Sequence, residues 1–316
     1  MKLKLKHAVV ALSAAGVMLS SIAQAVPTYS LINLGTLGGT ESRATGINDS
    51  GQVVGDSSNG DIDIRGNAIQ RAFLYSAGAL TDVGALDLGS NNPANNSSFS
   101  SGINASGQIA GTSNIFDNSA SHAVLYTSRG GITDLGTLGG FYSNGRGINS
   151  SGHVVGDSLT AGFAVHAFLY SGGVMTDLGT LGGGQSFASG INDSGQVVGY
   201  SSIVGNANRA FLYSSGVMTD LGTLGGTYSS ASDVNASGQI VGRSEIVGDA
   251  AAHSFLYSGG VMTDLGTLGG RSSFAAGINN RGQIVGNSDI AGDTAQHAFL
   301  YSDGSMTDLN DLIDPQ

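Results

Sequence analysis

Residues 186–222 read SFASGINDSGQVVGYSSIVGNANRAFLYSSGVMTDLG, and this stretch recurs along the chain with few changes. It contains three phrases in a fixed order: Gly-Ile-Asn-x-x-Gly-Gln-x-x-Gly, His/Arg-Ala-Phe-Leu-Tyr and Thr-Asp-Leu-Gly. A fourth phrase, Thr-Leu-Gly-Gly, follows directly. Successive copies are 43 to 56 residues apart, and they begin at Gly46, Gly102, Gly147, Gly190, Asp233 and Gly277. Periods of this size are typical of repeat architectures.

Each copy has the pattern of four short strands. Runs of five or six residues rich in Val, Ile, Phe and Tyr, bounded by glycine, favour strands over helices. In the quoted copy we expect strands at about 187–191, 196–201, 209–214 and 217–221. The segments 192–195 and 215–216 have the Asn, Asp, Ser and Gly residues of tight turns. The sequence therefore predicts two hairpins per repeat.

The repeat period indicates the architecture. Four antiparallel strands in about 43 residues match a propeller blade. We predict an all-β chain that folds as a β-propeller of about six four-stranded blades, with a β-solenoid as the alternative. An extra copy of the last two phrases, Asn33–Gly39, precedes the first repeat. We expect a strand at about Tyr29–Leu34 to pair with C-terminal strands and close the ring.

The first 25 residues have a different character. Three lysines in the first six residues precede an apolar run over 8–23, which is shorter than the roughly 20 residues that span a bilayer as a helix. The run ends in Ala23-Gln24-Ala25, a pattern that signal peptidase accepts. The sequence predicts a secretory signal peptide over 1–25 and a single repeat domain over 26–316. We expect an extracellular or, as the alternative, periplasmic protein with no stable membrane insertion after cleavage.

The composition excludes several classes of function. The chain after residue 25 has nine arginines against 23 acidic residues, which is a formal charge of −14. Nucleic-acid binding requires a clustered basic surface, so it is excluded. The chain has no cysteine, which excludes disulfides, thiolate metal sites and cysteine nucleophiles. We expect no cofactor.

The repeated phrases also resemble a known family. His-Ala-Phe-Leu-Tyr, Gly-Ile-Asn-x-x-Gly-Gln and Asp-Leu-Gly-Thr-Leu-Gly-Gly are similar to those of the HAF-type probable extracellular repeat proteins of bacteria. The resemblance covers about residues 28–314. It implies an exported bacterial protein, and it implies no particular activity.

Few residues have the pattern of a catalytic or metal site. Four histidines share one repeat position with Arg71 and Arg209: His122, His166, His253 and His297. We expect each of them to hydrogen-bond the aspartate of its own Thr-Asp pair in a structural role. No unique carboxylate pair indicates glycoside hydrolysis. Asp56–Asp63 has the oxygen-rich composition of a calcium loop, although its spacing favours a plain solvated loop. We therefore predict no catalytic and no metal-binding residues.

The most variable positions follow Thr-Leu-Gly-Gly. They read Thr40-Glu41, Phe141-Tyr142, Gly184-Gln185, Thr227-Tyr228 and Arg271-Ser272. Connections between blades share one face of a propeller, and variable residues on a constant frame are typical of a binding surface. The sequence predicts four residues that face a ligand: Phe141, Tyr142, Tyr228 and Arg271.

These features predict a secreted, non-catalytic and monomeric propeller scaffold that binds an extracellular protein or glycan. One alternative is a polysaccharide hydrolase or lyase that uses aspartates near the central channel. Another is a structural matrix or adhesion component. A cluster of unlike polar residues in one blade favours an enzyme, whereas a ring of equivalent residues favours a scaffold.

Overall fold

The computed structural model describes residues 32–63, 65–87, 96–115, 120–127 and 131–312. The predicted signal peptide lies outside these residues. The described chain forms 24 strands and one short 3-10 helix, Leu309–Leu312. None of its helical segments has the length and apolar character needed to cross a membrane.

The strands form six four-stranded antiparallel blades that follow one another along the chain. The first blade contains β1 Ser42–Ile47, β2 Val53–Ile62, β3 Ala68–Ser76 and β4 Ala79–Asp82. The second contains β5 Ser98–Ile103, β6 Ile109–Ile115, β7 Ala120–Tyr126 and β8 Ile132–Asp134. The third contains β9 Gly139–Ile148, β10 Val154–Thr160, β11 Val165–Ser171 and β12 Val174–Asp177.

The last three blades have the same strand lengths as the third. The fourth contains β13 Gly182–Ile191, β14 Val197–Ile203, β15 Asn208–Ser214 and β16 Val217–Asp220. The fifth contains β17 Gly225–Val234, β18 Ile240–Ile246, β19 Ala252–Ser258 and β20 Val261–Asp264. The sixth contains β21 Gly269–Ile278, β22 Ile284–Ile290, β23 Gln296–Ser302 and β24 Ser305–Asp308. The prediction of four-stranded propeller blades is confirmed.

The turns within a blade form as their residues predict. In blade 4 the Asn192 Oδ1 accepts the N–H groups of Ser194 and Gln196, and Gly195 has a φ of +78°. Ser215 and Gly216, between β15 and β16, both have positive φ, which fits the right-handed twist of a two-residue hairpin. The first strand of this blade begins five residues before the expected position, because Gly182 already pairs with Ile203.

Neighbouring blades pack face to face in sequence order. We call the side of a blade that faces the preceding blade its leading side, and the opposite side its trailing side. The third strand of each blade contributes to both, since alternate residues of a strand point to opposite faces. In blade 4, Phe211 packs on blade 3, whereas Ala210 packs on blade 5. The phenylalanines of this phrase are fully buried: Phe73, Phe168, Phe211, Phe255 and Phe299.

The additional copy Asn33–Gly39 does not supply a closing strand. The expected strand at Tyr29–Leu34 lies partly outside the described residues, and Ile32 to Leu34 are not in a strand. The Leu37 N–H instead donates to the Ser57 Oγ, just as the Leu181 N–H donates to the Ser201 Oγ. This copy is therefore the connector that enters blade 1. Its role explains why the chain has seven phrases of the Thr-Asp-Leu-Gly type for six blades.

A ladder of asparagines links all six blades. Each asparagine follows the first strand of its blade and donates its Nδ2 to the backbone oxygen of the equivalent asparagine in the next blade. The five bonds are 3.0–3.2 Å long and connect Asn48, Asn104, Asn149, Asn192, Asn235 and Asn279. A ladder bond therefore crosses every interface between consecutive blades.

Serines make a second polar contact across the same interfaces. In blade 4 the Ser186 Oγ accepts the Ala167 N–H of blade 3 at 2.8 Å and donates to the Gly179 oxygen at 2.5 Å. Equivalent serines in other blades are Ser98, Ser143, Ser229 and Ser273, each of which accepts a backbone N–H of the preceding blade. The N–H group of this third-strand residue has no acceptor in its own blade, so the serine of the next blade satisfies it.

One glycine per blade allows the first two strands to approach closely. A Cβ atom at Gly199 of β14 would overlap the carbonyl oxygen of Phe187 in β13. Gly156 and Gly242 face equivalent backbone atoms in their own blades. The glycine of the Val-Val-Gly phrase is thus required by backbone contact, because any side chain there would separate the two strands.

We expect Gly199→Ala to lower the free energy of unfolding by about 2 kcal/mol or more, since the added methyl group has no space. Gly184→Ala in the same blade is the matched control. A Cβ at Gly184 meets no atom within 4 Å, and its backbone is outside the positive-φ region. Urea unfolding measures both variants. Equal effects of the two substitutions would contradict the close approach of β13 and β14.

We also expect Asn192→Asp to lower the free energy of unfolding by about 2 kcal/mol more than Asn279→Asp. Aspartate keeps the Oδ acceptor of the turn but loses the Nδ2 donor. Both asparagines donate to the glutamine of their own turn, and Asn192 donates in addition to the Asn235 oxygen of blade 5. Chemical denaturation at neutral pH tests the difference. Equal losses would show that the ladder bond adds no stability.

Candidate functional site

The four residues predicted to face a ligand do not form one surface. Ser143 lies on the leading side of blade 3, because its Oγ accepts the Ala123 N–H of blade 2. The preceding residue, Tyr142, therefore points to the trailing side, and Phe141 points to the leading side. The same alternation places Tyr228 on the trailing side of blade 5 and Arg271 on the leading side of blade 6.

The contacts of Arg271 agree with this division. The Arg271 Nη2 donates to the Ala250 oxygen in the preceding blade at 2.8 Å, and the Arg271 N–H bonds the Asp293 Oδ1. Arg271 thus braces a turn of blade 5. Phe141 is 59% exposed and contacts the Tyr142 ring edge-on at 5.6 Å between centroids. Tyr142 and Tyr228, by contrast, lie beside further variable residues.

The second strand of each blade carries a variable residue that the sequence analysis did not single out. It follows the glycine of Val-Val-Gly and takes five residue types in six copies: Asp56, Thr112, Asp157, Tyr200, Arg243 and Asn287. This residue points to the trailing side, the same side as Tyr142 and Tyr228. Its variation within an otherwise constant phrase is the sequence signal that identifies it.

These residues combine into what we call the aromatic–arginine row, which crosses blades 3, 4 and 5. It consists of Tyr142, Arg146, Asp157, Phe187, Tyr200, Tyr228 and Arg243. In blade 4 the rings of Phe187 and Tyr200 stack at 4.8 Å between centroids with an angle of 20°. In blade 5 the Arg243 guanidinium lies 5.1 Å from the centre of the Tyr228 ring, a cation–π contact.

Titratable groups of the three blades influence one another's pKa in this row. Burial raises the pKa of the Tyr200 hydroxyl, and Tyr228 in the next blade raises it further. From the preceding blade, Arg146 lowers this pKa and Asp157 raises it. Burial, followed by Asp157, also raises the pKa of Tyr142. The titratable groups of blades 3, 4 and 5 in this row thus lie near enough to influence one another.

Asp157, the carboxylate of the row, accepts hydrogen bonds from its neighbours. Asp157 is 2% exposed, and its two oxygens accept hydrogen bonds from Arg146 Nε at 2.5 Å and Asn144 Nδ2 at 2.9 Å. Both oxygens of Asp157 are therefore occupied by side chains of its own blade. Asp157 therefore orients Arg146, whose side chain stays half exposed.

Two clefts between blades open beside the row. One, of about 340 Å³, lies between blades 2 and 3 and is lined in part by Phe99, Thr112 and Arg146. The other, of about 120 Å³, lies between blades 5 and 6 and is lined in part by Arg243 and Phe274. Neither lining contains a carboxylate side chain. An arginine of the row thus reaches each cleft.

The repeated histidines make the predicted structural pairs. The Nδ1 of His122, His166 and His253 lies 2.8–2.9 Å from an oxygen of Asp134, Asp177 and Asp264. His297 pairs with Asp308 in the same way. The expectation that each histidine bonds the aspartate of its own blade is confirmed. Since equivalent pairs recur in four blades, they do not form a unique catalytic dyad.

Two of the paired aspartates, Asp134 and Asp308, have lowered pKa values. Burial acts to raise the pKa of Asp134, but the hydrogen bonds from His122 and the Gly136 N–H outweigh it and bring the pKa below its ordinary value. The pKa of Asp308 is lowered for the same reasons by His297 and Asn310. Both groups are thus held in the charged form.

Asp233 is the buried carboxylate that departs from the repeat. It replaces the first glycine of Gly-Ile-Asn, and burial raises its pKa. Its oxygens accept the N–H groups of Val234 at 2.8 Å and of Ile278, in the next blade, at 2.9 Å. These two bonds oppose the rise of the pKa. Asp233 therefore joins two first strands and does not face a cleft.

The oxygen-rich stretch Asp56–Asp63 is not a calcium loop. It continues strand β2 to Ile62, and Asp63 closes the following turn by accepting the N–H groups of Arg65 and Asn67. The described residues contain no group of three His, Asp or Glu side chains that would hold a metal ion. This stretch therefore lengthens the β2–β3 hairpin of blade 1.

The fold is similar to solved propellers at low sequence identity. The chain matches the β-propeller domain of the Trilobed protease from Pyrococcus furiosus, which has an open velcro topology, with a TM-score of 0.55 and 11% identity. The match covers 87% of this chain and 85% of that chain. No protein-family model matches the sequence, and no curated protein matches it with significance.

Two larger enzymes contain a similar part. Pyrococcus horikoshii acylaminoacyl peptidase matches with a TM-score of 0.53 and 11% identity over 85% of this chain and 44% of its own. Puromycin hydrolase matches with a TM-score of 0.51 and 11% identity over 76% of this chain and 41% of its own. The chain spans less than half the length of either enzyme, so the likeness shows the propeller fold alone.

We expect Asp134→Asn to destabilise the protein by about 1 kcal/mol at pH 7, because asparagine keeps the Gly136 contact but loses the charged acceptor of the His122 hydrogen bond. The pKa of Asp134 is lowered in the folded chain, so the stabilisation exists above the ordinary value of 3.8 and disappears as the pH falls below it. Urea unfolding between pH 7 and pH 2.5 tests this. A difference that stays constant over this range would contradict it.

Proposed function

We propose that this protein is a secreted, non-catalytic propeller scaffold that binds an extracellular protein or glycan partner through the aromatic–arginine row. The observation that carries the proposal is where the repeat varies. The glycines, serines and asparagines that join the blades are nearly constant, whereas the residues of the row differ from blade to blade. Variable residues gathered on a partly exposed surface of an otherwise constant frame are typical of a binding site.

The chemistry of the row suits a partner with both apolar and polar groups. Tyrosine rings offer rigid apolar area with a hydroxyl at the edge, and tyrosine and arginine are enriched at the centres of interfaces. Arg146 and Arg243 are exposed, and a guanidinium pairs with carboxylates and hydroxyls in a fixed geometry. A sugar ring or a tyrosine-rich peptide face provides the matching groups.

The arrangement of titratable groups supports a binding role over a catalytic one. The histidine–aspartate pairs recur as equivalents, and the two clefts beside the row have no carboxylate in their linings. Glycoside hydrolysis uses two carboxyl groups that flank one bond. Asp157 is the carboxylate of the row, and it is already bonded to Arg146 and Asn144.

The proposed location rests on the sequence. The basic, apolar and small-residue regions of residues 1–25 have the order of a secretory signal peptide. The resemblance of the repeats to HAF-type extracellular repeat proteins supports the same location. The absence of cysteine is compatible with export, since the blades are joined by hydrogen bonds and apolar packing.

The test is capture of a partner by the purified protein on a glycan array and in a pulldown from extracellular proteins. We expect Tyr142→Ala, Tyr228→Ala and Arg243→Ala together to reduce binding at least tenfold and to change the melting temperature little, because all three side chains are partly exposed. The control is Arg271→Ala on the leading side of blade 6, and we expect it to keep full binding.

Loss of binding in the control but not in the row variant would overturn the choice of surface. A turnover assay on any retained glycan distinguishes the alternatives further. Release of shortened or unsaturated products would replace the binding scaffold with a hydrolase or a lyase.

A further inference from the structure

Two hydrogen bonds recur with the same direction at the five interfaces between consecutive blades. In both of them the trailing side supplies the donor, and the leading side supplies the acceptor. Between blades 3 and 4, for example, the Ala167 N–H donates to the Ser186 Oγ, and the Asn149 Nδ2 donates to the Asn192 oxygen. The same two bonds recur at the other four interfaces.

The trailing side of blade 6 keeps the residues that cover a following blade. Val285 and Ala298 occupy the positions of Val198 and Ala210 in blade 4. Val198 and Ala210 are fully buried against blade 5, whereas Val285 and Ala298 are only half-buried. The described residues provide no acceptor for the Ala298 N–H, and no further asparagine follows Asn279 in the ladder.

The 3-10 helix after blade 6 does not replace a following blade. Its Leu309 and Leu312 pack on Leu300 of the same blade. They correspond to Leu221 and Leu224, which lie in the interface between blades 4 and 5 together with residues of both blades. Leucines at these positions are therefore part of an ordinary interface, and Val285 and Ala298, which pack against them, stay only half-buried.

The leading side of blade 1 is the complement of this surface. Ala44 and Val53 are half-buried, whereas the equivalent Ala188 and Val197 of blade 4 are fully buried. Ser42 provides the Oγ that would accept a backbone N–H from a preceding blade, and its own hydroxyl bonds the Gly35 oxygen at 2.7 Å as in the other blades. The Asn48 oxygen is the free end of the ladder among the described blades.

We propose that the trailing side of blade 6 binds the leading side of blade 1 in a second copy of this chain. The two surfaces repeat the donors, acceptors and apolar residues of the five interfaces within the chain, so the contact continues an established interface. Over the described residues, no strand of blade 6 packs on a strand of blade 1 as neighbouring blades do. The pairing is therefore between chains and head to tail.

This association differs from the monomer expected from the sequence. A head-to-tail interface uses two different surfaces, so each added copy leaves one of each surface open. Dimers and longer rows follow as the protein concentration increases. The aromatic–arginine row lies on blades 3 to 5 and remains outside the contact, so self-association is independent of the proposed binding function.

The absence of cysteine allows a clean cross-linking test. The purified Ser42→Cys protein is mixed with the Ala298→Cys protein and treated with a short bis-maleimide. We expect a covalent dimer of one chain of each kind, with a yield that increases with protein concentration. The positive control is the double variant Ala167→Cys/Ser186→Cys, whose two positions meet between blades 3 and 4 and cross-link within one chain.

A second measurement separates docking from incidental contact. Val285→Lys, placed in the Ala298→Cys chain, puts a charge on the half-buried trailing surface. We expect it to reduce the cross-linked dimer at least tenfold and to leave the melting temperature within a few degrees. Sedimentation velocity of the otherwise unchanged chain is expected to show concentration-dependent association that Val285→Lys abolishes.

Two results would overturn the proposal. The first is the absence of a dimer under conditions in which the control pair cross-links. The second is cross-linking within a single chain in the double variant Ser42→Cys/Ala298→Cys, with a yield independent of concentration, which would mean that blades 1 and 6 close a ring in one molecule.

Discussion

The structure depends on one constraint: both sides of a four-stranded blade are apolar, and each side must be covered by another blade. The third strand creates this condition, because its phenylalanine and tyrosine point to the preceding blade while its alanine and leucine point to the following one. A blade therefore has no solvent side of its own. The unit of stability is the interface between two blades and not the blade itself, as in other repeat proteins.

Much of the fold follows from local signals in the sequence. The Asn192–Gly195 and Ser215-Gly216 turns form as predicted, since their side chains and positive φ angles are local properties. The histidine–aspartate pairs were also predictable, because the two residues lie on neighbouring strands of one blade. Asp177, for example, pairs with Phe168, two residues from His166. The larger part of the architecture could thus be derived from a single 43-residue copy.

The candidate site was less predictable, for two physical reasons. The variable residues after Thr-Leu-Gly-Gly were treated as one surface, but alternation along the strand sends Tyr142 and Phe141 to opposite sides. The partners of Tyr142 and Tyr228 also lie far away in sequence: Tyr200 is coupled to residues of the blades before and after it. No local pattern contains such contacts, although the varying residue after Val-Val-Gly marks them.

Constant and variable positions stand side by side in the second strand. Gly199 admits no side chain because the backbone of β13 crosses directly over it. Its neighbour Tyr200 points the other way, toward the space between blades, and is free to differ among copies. Folding therefore fixes the residue at the position of Gly199. The residue at the position of Tyr200 can change in any of the six blades without altering the backbone.

The asparagine ladder has a consequence for the order in which the chain is assembled. Each hydrogen bond of the ladder joins asparagines only 43 to 56 positions apart, and its donor lies in the earlier of the two blades. A newly made blade therefore needs only its immediate successor, and no contact waits for the far end of the chain. Short-range contacts of this kind keep the entropic cost of loop closure low. Folding can advance blade by blade at the pace of synthesis, with the most recent repeat serving as the template for the next.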